Sequence, residues 1–518
     1  MSAVLPLSPL APRAASPTLL GLGSAPQLAA VLALLAAGLV AAATVNGYYV
    51  FVLANVALLA IVGIGLNVLQ GLTGQVSFGH VGFYAIGAYT VGILGTKAGW
   101  SFWAAWPVAA LLSGVVGGLL ALPALRVKGP YLAMVTIAFG FIVEHGVIEM
   151  GALTGGQNGI MGIAGPSLGG FARGERAVAM VAIVTAGVVL ALYAWLSRGT
   201  WGAAMRAVED SGTAAESIGI NPLVVKTAAF ALSAVAAGLA GGLFAPLSGF
   251  VAPSSFGFGQ SILFVLVVVV GGAGSVAGPL IGALVVALLP EVLAGLEEYR
   301  LLFFGALLLV VLWAAPEGFM GLWARVRGQR RAETGPAGDG PAGQAAPPSF
   351  LLTHERSQAL AAQGLSMQFG GVRAVSELSF GAPAGRITSL IGPNGAGKTT
   401  ALNMLSGFYV PTGGGFSLGQ SPLQGLPAYA IARRGVARTY QSSQLFGSLS
   451  VQDNVALALS RGALGRLFSA GRHGTPRMRE QAASLLAFCG YRGTLDTPAA
   501  DLPHVDRRLV EIARALAT

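Results

Sequence analysis

Long apolar blocks between residues 27 and 316 are the feature that most constrains how this chain folds. A window that crosses about 30 Å of hydrocarbon must satisfy its own backbone hydrogen bonds, so each such window predicts a helix. Ten windows are long enough: 27–45, 48–69, 76–94, 102–122, 131–150, 177–197, 227–248, 260–272, 276–294 and 301–315. The sequence therefore predicts a polytopic α-helical membrane domain of about eight to ten transmembrane helices at 27–324, preceded by a disordered leader at 1–26.

The composition supports a lipid environment. Charged residues make up 10% of the chain and hydrophobic residues 54%, whereas soluble domains carry about a quarter charged residues. The formal net charge is +10, but the arginines lie beside apolar blocks rather than on an aromatic-interleaved basic face, so we expect membrane lipid and no nucleic acid as a partner. The single cysteine, Cys489, excludes an intrachain disulfide and a thiolate metal site.

Positive charges give a consistent orientation. With ten crossings and an internal N-terminus, Arg126 and Lys128, the segment 198–226 and the segment 325–331 all fall on the cytoplasmic side. The longest polar interruption, 199–226, carries Arg206, Glu209 and other charges and predicts short cytoplasmic helices. It is the best candidate for a projection that docks on a soluble motor; a solvated loop without such a role is the alternative.

A few ionisable residues lie within or beside the apolar windows. Such groups are costly in lipid, so each could line a solute path or could lie near the membrane interface. They are His80, Glu144, His145, Glu149 and Glu291. Glycines between Gly71 and Thr90 permit either close helix approach or a broken helix.

The composition changes after residue 324. Residues 325–357 include the run GPAGDGPAGQAAPP, which predicts a flexible linker. From residue 358 the sequence is typical of a soluble α/β domain. LSMQF and the β-branched run at 386–391 predict strands, and a helix is predicted from Lys398 to Leu405.

A phosphate-binding motif follows the second predicted strand. Its glycines allow backbone N–H groups to face an anion, and the following helix N-terminus adds a favourable dipole. Lys398 would contact the β- and γ-phosphates of ATP, and Thr399 would hold Mg²⁺. The motif consists of Gly392, Pro393, Asn394, Gly395, Ala396, Gly397, Lys398, Thr399 and Thr400.

The membrane half resembles the branched-chain amino acid permease family of ABC importers in residues 71–90, ALRVKGPYLAMVTIAFGFI and AAESIGIN. In that family, the loop before the last helices docks on the ATPase through a pattern of the type E-A-A-three residues-G. In this chain, the matching positions are held by Thr213, Ala214, Ala215 and Gly219. The acidic first residue of the pattern is missing. The resemblance implies a second permease, a second ATPase and a periplasmic solute-binding protein as partners.

The second half is similar to ABC ATPases, especially those of branched-chain amino acid systems, in its FGG stretch, P-loop and EIARAL run. The resemblance implies that Phe369 stacks on adenine and that Gln441 reaches Mg²⁺ or the attacking water. The resemblance implies a signature L-S-G-G-Q at 502–506, whose serine and glycines contact the γ-phosphate bound by the opposing ATPase in a composite site. Leu502, Pro503, His504, Val505 and Asp506 replace it here. Because proline lacks an N–H, this replacement predicts a weakened composite site. We expect the domain at 358–518 to be incomplete, because no candidate for the Walker B aspartate, the catalytic glutamate or the switch histidine is present, and we assign no catalytic residue.

The expected function is ATP-driven import of branched-chain or related small amino acids across the bacterial inner membrane, with the nucleotide-binding domain cytoplasmic. ATP hydrolysis by this chain is left open. The alternatives are a subunit that binds nucleotide without hydrolysing it, an importer of urea or short amides, and a secondary transporter or channel that operates independently of Lys398.

Overall fold

The computed structural model describes residues 25–125, 127, 129–169, 172–292, 299–315, 317–326, 347–351, 358–468 and 473–518. The predicted leader, except for residues 25 and 26, and most of the predicted linker lie outside these ranges. So do Arg126 and Lys128, two of the charges used to predict the orientation.

Each of the ten predicted windows falls on a helix. The helices of the membrane half, in chain order, are α1 (Ala25–Thr44), α2 (Gly47–Thr73), α3 (His80–Thr96), α4 (Phe102–Ala124), α5 (Pro130–Glu149), α6 (Gly151–Thr154), α7 (Glu175–Arg198), α8 (Thr200–Asp210), α9 (Gly212–Ser217), α10 (Pro222–Ser248), α11 (Phe258–Gly271), α12 (Gly278–Val292), α13 (Arg300–Ala314) and α14 (Gly318–Val326). Within the described ranges, six helical segments are long and apolar enough to cross a membrane: α2, α4, α5, α7, α10 and Pro253–Gly271. The polytopic helical domain is therefore confirmed, while the number of crossings stays a prediction.

Helix α10 lies at the centre of the membrane half and packs against α2, α3 and α4. Small residues allow this approach: a Cβ placed on Gly241 would lie 1.9 Å from the backbone oxygen of Tyr84, and one on Gly87 would lie 2.3 Å from that of Gly238. Close backbone contact of this kind increases van der Waals packing between helices in lipid. The glycine-rich run at 71–90 thus serves close helix approach, one of the two expected uses.

The third predicted window begins four residues too early. Helix α2 ends at Thr73 and is capped by Gly74, whose φ of 64° lies in the left-handed region, and α3 begins only at His80. A two-stranded antiparallel sheet joins β1 (Ile160–Met161) to β2 (Phe250–Val251) at the loops that follow α6 and α10.

The nucleotide half combines a small antiparallel sheet with helices. The strands are β3 (Leu360–Phe369), β4 (Val372–Ala382), β5 (Gly413–Leu418) and β6 (Ser421–Pro422), in the order β4-β3-β5-β6. The helices are α15 (Lys398–Leu405), α16 (Ala428–Arg433), α17 (Val451–Leu459), α18 (Pro476–Phe488) and α19 (His504–Ala517). Strand β3 and helix α15 confirm two of the predicted elements.

The predicted strand at 386–391 is wrong for this structure. The segment has no regular secondary structure, and Ile387 and Ile391 are 98% and 91% exposed. A strand needs a neighbour that completes its hydrogen-bond ladder, and none of the described strands pairs with this segment. The β-branched residues of this segment favour a strand, but the sequence pattern does not show whether a neighbouring strand is present.

Candidate nucleotide site and its contact with the membrane domain

The P-loop connects segment 386–391 to α15 through glycines in the left-handed region. Gly395 has a φ of 86° and Gly397 a φ of 79°, a conformation that side chains with a Cβ rarely adopt. A Cβ on Gly397 would also lie 2.3 Å from the backbone oxygen of Ala374 in β4. Glycine is therefore required here both by backbone conformation and by the approach of the neighbouring strand.

Lys398 is the first residue of α15 and folds back over the loop. Its Nζ donates to the backbone oxygens of Gly392 at 2.6 Å and Pro393 at 2.7 Å. Thr399 is exposed and Thr400 is half-buried. A cavity of about 250 Å³ beside the loop includes Ala396, Gly397 and Lys398 in its wall. A positive loop at a helix N-terminus with free access fits the phosphates of a nucleotide.

Phe369 ends β3 at the tip of the β3–β4 hairpin, where it pairs with Val372. Its ring is 44% exposed and meets Tyr409 edge-on, with 5.3 Å between ring centroids. Because β4 also touches Gly397 through Ala374, the hairpin that carries Phe369 is joined directly to the P-loop. Stacking of Phe369 on adenine stays a prediction.

Gln441 lies in a segment held between the P-loop helix and α19. Arg438 donates from Nη1 to Oδ1 of Asn403 in α15 at 2.6 Å. On the other side, the guanidinium of Arg508 donates to the backbone oxygens of Tyr440 and Gln441. The backbone position of Gln441 is therefore fixed relative to the P-loop helix, while its side chain is exposed.

Acidic and nitrogen ligands do not gather at this site. Within the described ranges no group of three or more His, Cys, Asp and Glu residues could hold a metal ion. This leaves the expected Mg²⁺ contacts of Thr399 and Gln441 as predictions, since hydroxyl and amide oxygens with nucleotide phosphates are a set that Mg²⁺ accepts.

The polar segment 199–226 forms the two short helices α8 and α9, as predicted. Asp210 at the end of α8 accepts hydrogen bonds on Oδ2 from the backbone N–H of Ser448 at 3.0 Å and from its hydroxyl at 2.5 Å. The Ser211 hydroxyl donates to Oε1 of Gln444 at 3.0 Å. The loop therefore docks on the segment that follows Gln441.

Helix α9 and its C-terminal turn complete the contact. The Tyr440 hydroxyl donates to the backbone oxygen of Thr213 at 3.3 Å, and Arg433 of α16 donates from Nε to the backbone oxygen of Gly219 at 2.8 Å. Ala214 and Ala215 are fully buried. The positions Thr213, Ala214, Ala215 and Gly219, identified by resemblance, thus lie at the interface between the two halves.

Arg514 in α19 contacts the segment on which α8 and α9 dock, at Gln444 and Phe446. It was not identified from the sequence as a functional residue. It donates from Nη1 to the backbone oxygen of Gln444 at 2.7 Å and stacks over the Phe446 ring at 4.8 Å. Only 2% of the residue is exposed, and burial lowers the pKa of its guanidinium to about 10, although Glu511 and Tyr440 raise it. The EIARAL run that contains Arg514 marked a helix in the sequence, but no local signal indicated the partners of this arginine.

Glu209 in α8 lies beside the turn after α2. A Cβ placed on Gly74 would lie 3.1 Å from the Glu209 carboxylate. Burial and, next, the charge of Asp210 raise the pKa of the Glu209 carboxyl to about 7, whereas Arg206 lowers it. More than a third of the residue is exposed, so solvent screens part of this interaction.

The segment that replaces the ABC signature lies at the start of α19. Leu502 is buried, whereas Pro503, His504 and Val505 are exposed. Pro503 occupies the N-cap position and has no N–H to offer an anion. The chain therefore presents a different surface from the serine and glycines that the resemblance implies.

A polytopic helical domain whose polar loop docks on a P-loop domain defines the class of membrane permeases coupled to nucleotide-binding domains. Residues 48–312 match the family described as branched-chain amino acid transport system / permease component, and residues 375–518 match the ABC transporter family. The chain belongs to the branched-chain amino acid transport permease family and carries an ABC transporter domain in the same polypeptide.

Curated relatives divide between the two halves. The permease protein LivM of a high-affinity branched-chain amino acid transport system from Escherichia coli is 36% identical over 284 residues, which is 50% of this chain and 67% of LivM. The ATP-binding protein LivG of the same kind of system from Salmonella typhimurium is 43% identical over 166 residues, 31% of this chain and 65% of LivG. The chain thus spans about two thirds of the length of each relative.

Among solved structures, an ATP-binding cassette of an ABC transporter in its ADP conformation is similar at 25% identity. The similarity covers 31% of this chain and 65% of the cassette, with a TM-score of 0.27.

Proposed function

We propose that this chain imports branched-chain amino acids, driven by ATP, as the fused permease and ATP-binding component of an ABC transporter. The observation that carries the proposal is the docking of α8 and α9 on the segment 438–448. This contact joins the P-loop helix, through Arg438 and Asn403, to the membrane helices, through Asp210 and Ser448. The relatives LivM and LivG, whose names state branched-chain amino acid transport, support the choice of solute.

Bound ATP would supply the free energy of transport, and Mg²⁺ would neutralise charge on its phosphates. The backbone of the P-loop and Lys398 would hold the phosphates, and Thr399 and Gln441 are the proposed magnesium contacts. Phe369 is the proposed adenine contact. Segment 438–448 would then transmit a conformational change at the nucleotide to the membrane half. It hydrogen-bonds to the P-loop helix at one end and to α8 and α9 at the other.

We further propose a bacterial inner-membrane location with the nucleotide-binding half in the cytoplasm. The complete transporter would contain a second permease, a second ATPase subunit and a periplasmic solute-binding protein. The two families in one chain support a multi-subunit importer of this kind. The polar contacts of α8 and α9 with the nucleotide-binding half support the placement of this half in water.

The test is uptake of radiolabelled leucine by cells whose chromosomal copy carries Lys398→Ala. We expect uptake to fall at least about a hundredfold, because the phosphates lose their lysine contact. Lys97→Ala is the matched control, since Lys97 bonds to Ala152 in the membrane half and uptake should stay unchanged. Undiminished leucine uptake in Lys398→Ala would contradict the proposal and favour a secondary transporter; uptake of urea or short amides instead of leucine would change the solute.

A subunit that binds nucleotide without hydrolysing it is the alternative that Pro503 allows to be tested, because this residue at the N-cap of α19 has no N–H to offer a phosphate. Replacement of Pro503, His504 and Val505 by Ser-Gly-Gly should raise the ATPase rate of the assembled transporter if the present segment weakens the composite site. An unchanged rate would show that this segment does not weaken the composite site.

A further inference from the structure

A cavity of about 290 Å³ lies inside the membrane half, between one face of α2 and the facing sides of α11 and α12. This volume is just below the usual range for drug-sized ligands, which begins at about 300 Å³, so the cavity suits a smaller molecule. Its walls include Asn55, Leu59, Ser255, Gln260, Val286 and Glu291. The cavity is separate from the nucleotide site.

The cavity lies at the end of the membrane half that is remote from the nucleotide-binding half. The C-terminal end of α2 is on the nucleotide side, because Gly74 lies against Glu209 of α8. Asn55 precedes that end by most of the helix, and a rise of 1.5 Å per residue places it ~27 Å from Thr73. The cavity is therefore close to the face at which a solute would arrive in an importer.

Polar and apolar walls of the cavity are separated along this direction. Gln260 lies in the first turn of α11 and Glu291 in the last turn of α12, so both are at the remote end together with Ser255. Glu291 accepts a hydrogen bond from the hydroxyl of Tyr48 at the start of α2. Its side chain is exposed at this end of the cavity, where it is accessible to an arriving solute.

The inner walls are aliphatic and aromatic. Leu59, Leu263 and Val286 lie about one helical turn further in than the polar groups on their helices. Tyr84 closes this part, with ring centroids 5.4 Å from Phe244 and 5.3 Å from Phe264. A ligand that fits both walls carries charge at one end and a compact apolar group at the other.

We propose that this cavity is a binding site for one free amino acid with an aliphatic side chain. Glu291 accepts hydrogen bonds from the α-ammonium group, and Gln260 and Ser255 donate to the α-carboxylate. The aliphatic side chain packs against Leu59, Leu263 and Val286. This inference rests on the proposed transport function and assigns the solute to a site within a single permease chain.

The test measures binding of radiolabelled leucine to the purified full-length chain in detergent. Glu291→Gln keeps the shape of the side chain but removes its charge, so the Kd should rise at least about tenfold, the contribution of one hydrogen bond to a charged group. Ala287→Phe should give a similar rise by filling the cavity. Glu149→Gln, at the end of α5 and outside the cavity wall, is the matched control and should leave the Kd unchanged.

Ligand analogues test the same assignment without any substitution. 4-Methylpentanoate, which lacks the ammonium group, should compete at least about tenfold less well than leucine. An unchanged Kd in Glu291→Gln, equal competition by 4-methylpentanoate, or no leucine binding to the purified chain would overturn the inference. In those cases transport that still depends on Lys398 leaves the proposed function standing, whereas cells that take up no leucine through this chain contradict that function itself.

Discussion

Apolar residues of the membrane half and of segment 386–391 in the nucleotide half meet very different surroundings. Helices α3 and α10 approach so closely that a single added Cβ at Gly241 would overlap the backbone of α3, whereas Ile387 and Ile391 are almost fully exposed. Lipid-embedded helices satisfy their own backbone and need only close packing between them. A strand depends on a neighbour for its hydrogen bonds, so the same apolar character does not suffice for segment 386–391.

The nucleotide half itself has two parts with different attachments. Buried residues of α17, α18 and α19, such as Val455, Leu485 and Val510, belong to the same apolar cluster as the membrane helices. The sheet and α15 have a separate small core that includes Leu365, Met404 and Phe416. The helical part is therefore continuous with the permease, and the P-loop part is linked to it through the segment that contains Gln441.

The largest effect is expected where the backbones of the membrane half touch. Gly241→Ala should lower the free energy of unfolding by about 3 kcal/mol, because neither Tyr84 nor its helix can move aside cheaply. Denaturant titration in detergent measures the change. Gly259→Ala is the control, since a Cβ there meets nothing within 4 Å; equal stability of the two variants would contradict the close-packing comparison.

Removal of the buried arginine tests the attachment of the helical part. Arg514→Ala should lower the free energy of unfolding by about 2 kcal/mol, because it leaves the Gln444 carbonyl without its donor and opens a space over Phe446. The same titration applies, and the exposed Arg477→Ala serves as control. A loss no larger than in the control would show that the attachment does not depend on this residue.

The hydrogen bonds between the halves should contribute less, because Asp210 is exposed. Asp210→Asn should lower stability by about 1 kcal/mol by removing the charge that two Ser448 donors share. A double-mutant cycle with Ser448→Ala isolates this interaction. Additive effects of the two substitutions would mean that the pair contributes nothing to docking.

The pH dependence of stability offers a smaller and directional test. The pKa of Glu209 is raised from 4.5 to about 7 in the folded chain, so the folded state binds more protons between these values and loses stability as the pH rises through them. Glu209→Gln should lack this loss and be slightly more stable than the parent chain at pH 8. Identical melting temperatures of both chains from pH 5 to pH 8 would exclude the effect.

The smallest effect is expected at the exposed segment. Ile387→Thr should change the free energy of unfolding by less than about 0.5 kcal/mol, as substitutions at solvated positions do. A destabilisation as large as that of Gly241→Ala would show that the segment is buried in the native protein and would remove the contrast between the two halves.

The sequence predicted the elements whose signals are local. Ten apolar windows located ten helices, and the P-loop motif located α15 from its first residue to its last. The prediction failed for segment 386–391 because hydrophobicity does not show whether a neighbouring strand is present. It failed for the start of α3 because hydrophobicity does not show the left-handed cap at Gly74.

The phosphate-binding part of the candidate site could be predicted from the sequence. The long-range contacts that hold the neighbouring segment in place could not. The motif fixes the identities of Gly397 and Lys398, since backbone conformation and anion binding both demand them. The contacts of Asp210 with Ser448 and of Arg514 with Gln444 join residues 238 and 70 positions apart. Pairings of this kind depend on tertiary packing, which no periodicity or spacing records.

The central claim is that the nucleotide-binding half docks on α8 and α9 of its own permease half. A disulfide between Asp210→Cys and Ser448→Cys tests this claim most directly. Cys489→Ser removes the single native cysteine, and Asp210→Cys with Ser484→Cys, on the exposed face of α18, is the control pair. Mild oxidation of membranes followed by intact-mass and thiol-labelling analysis reports the bond. The account predicts an intrachain disulfide in the test pair and none in the control; free thiols in both pairs, or a disulfide only between two chains, would contradict it.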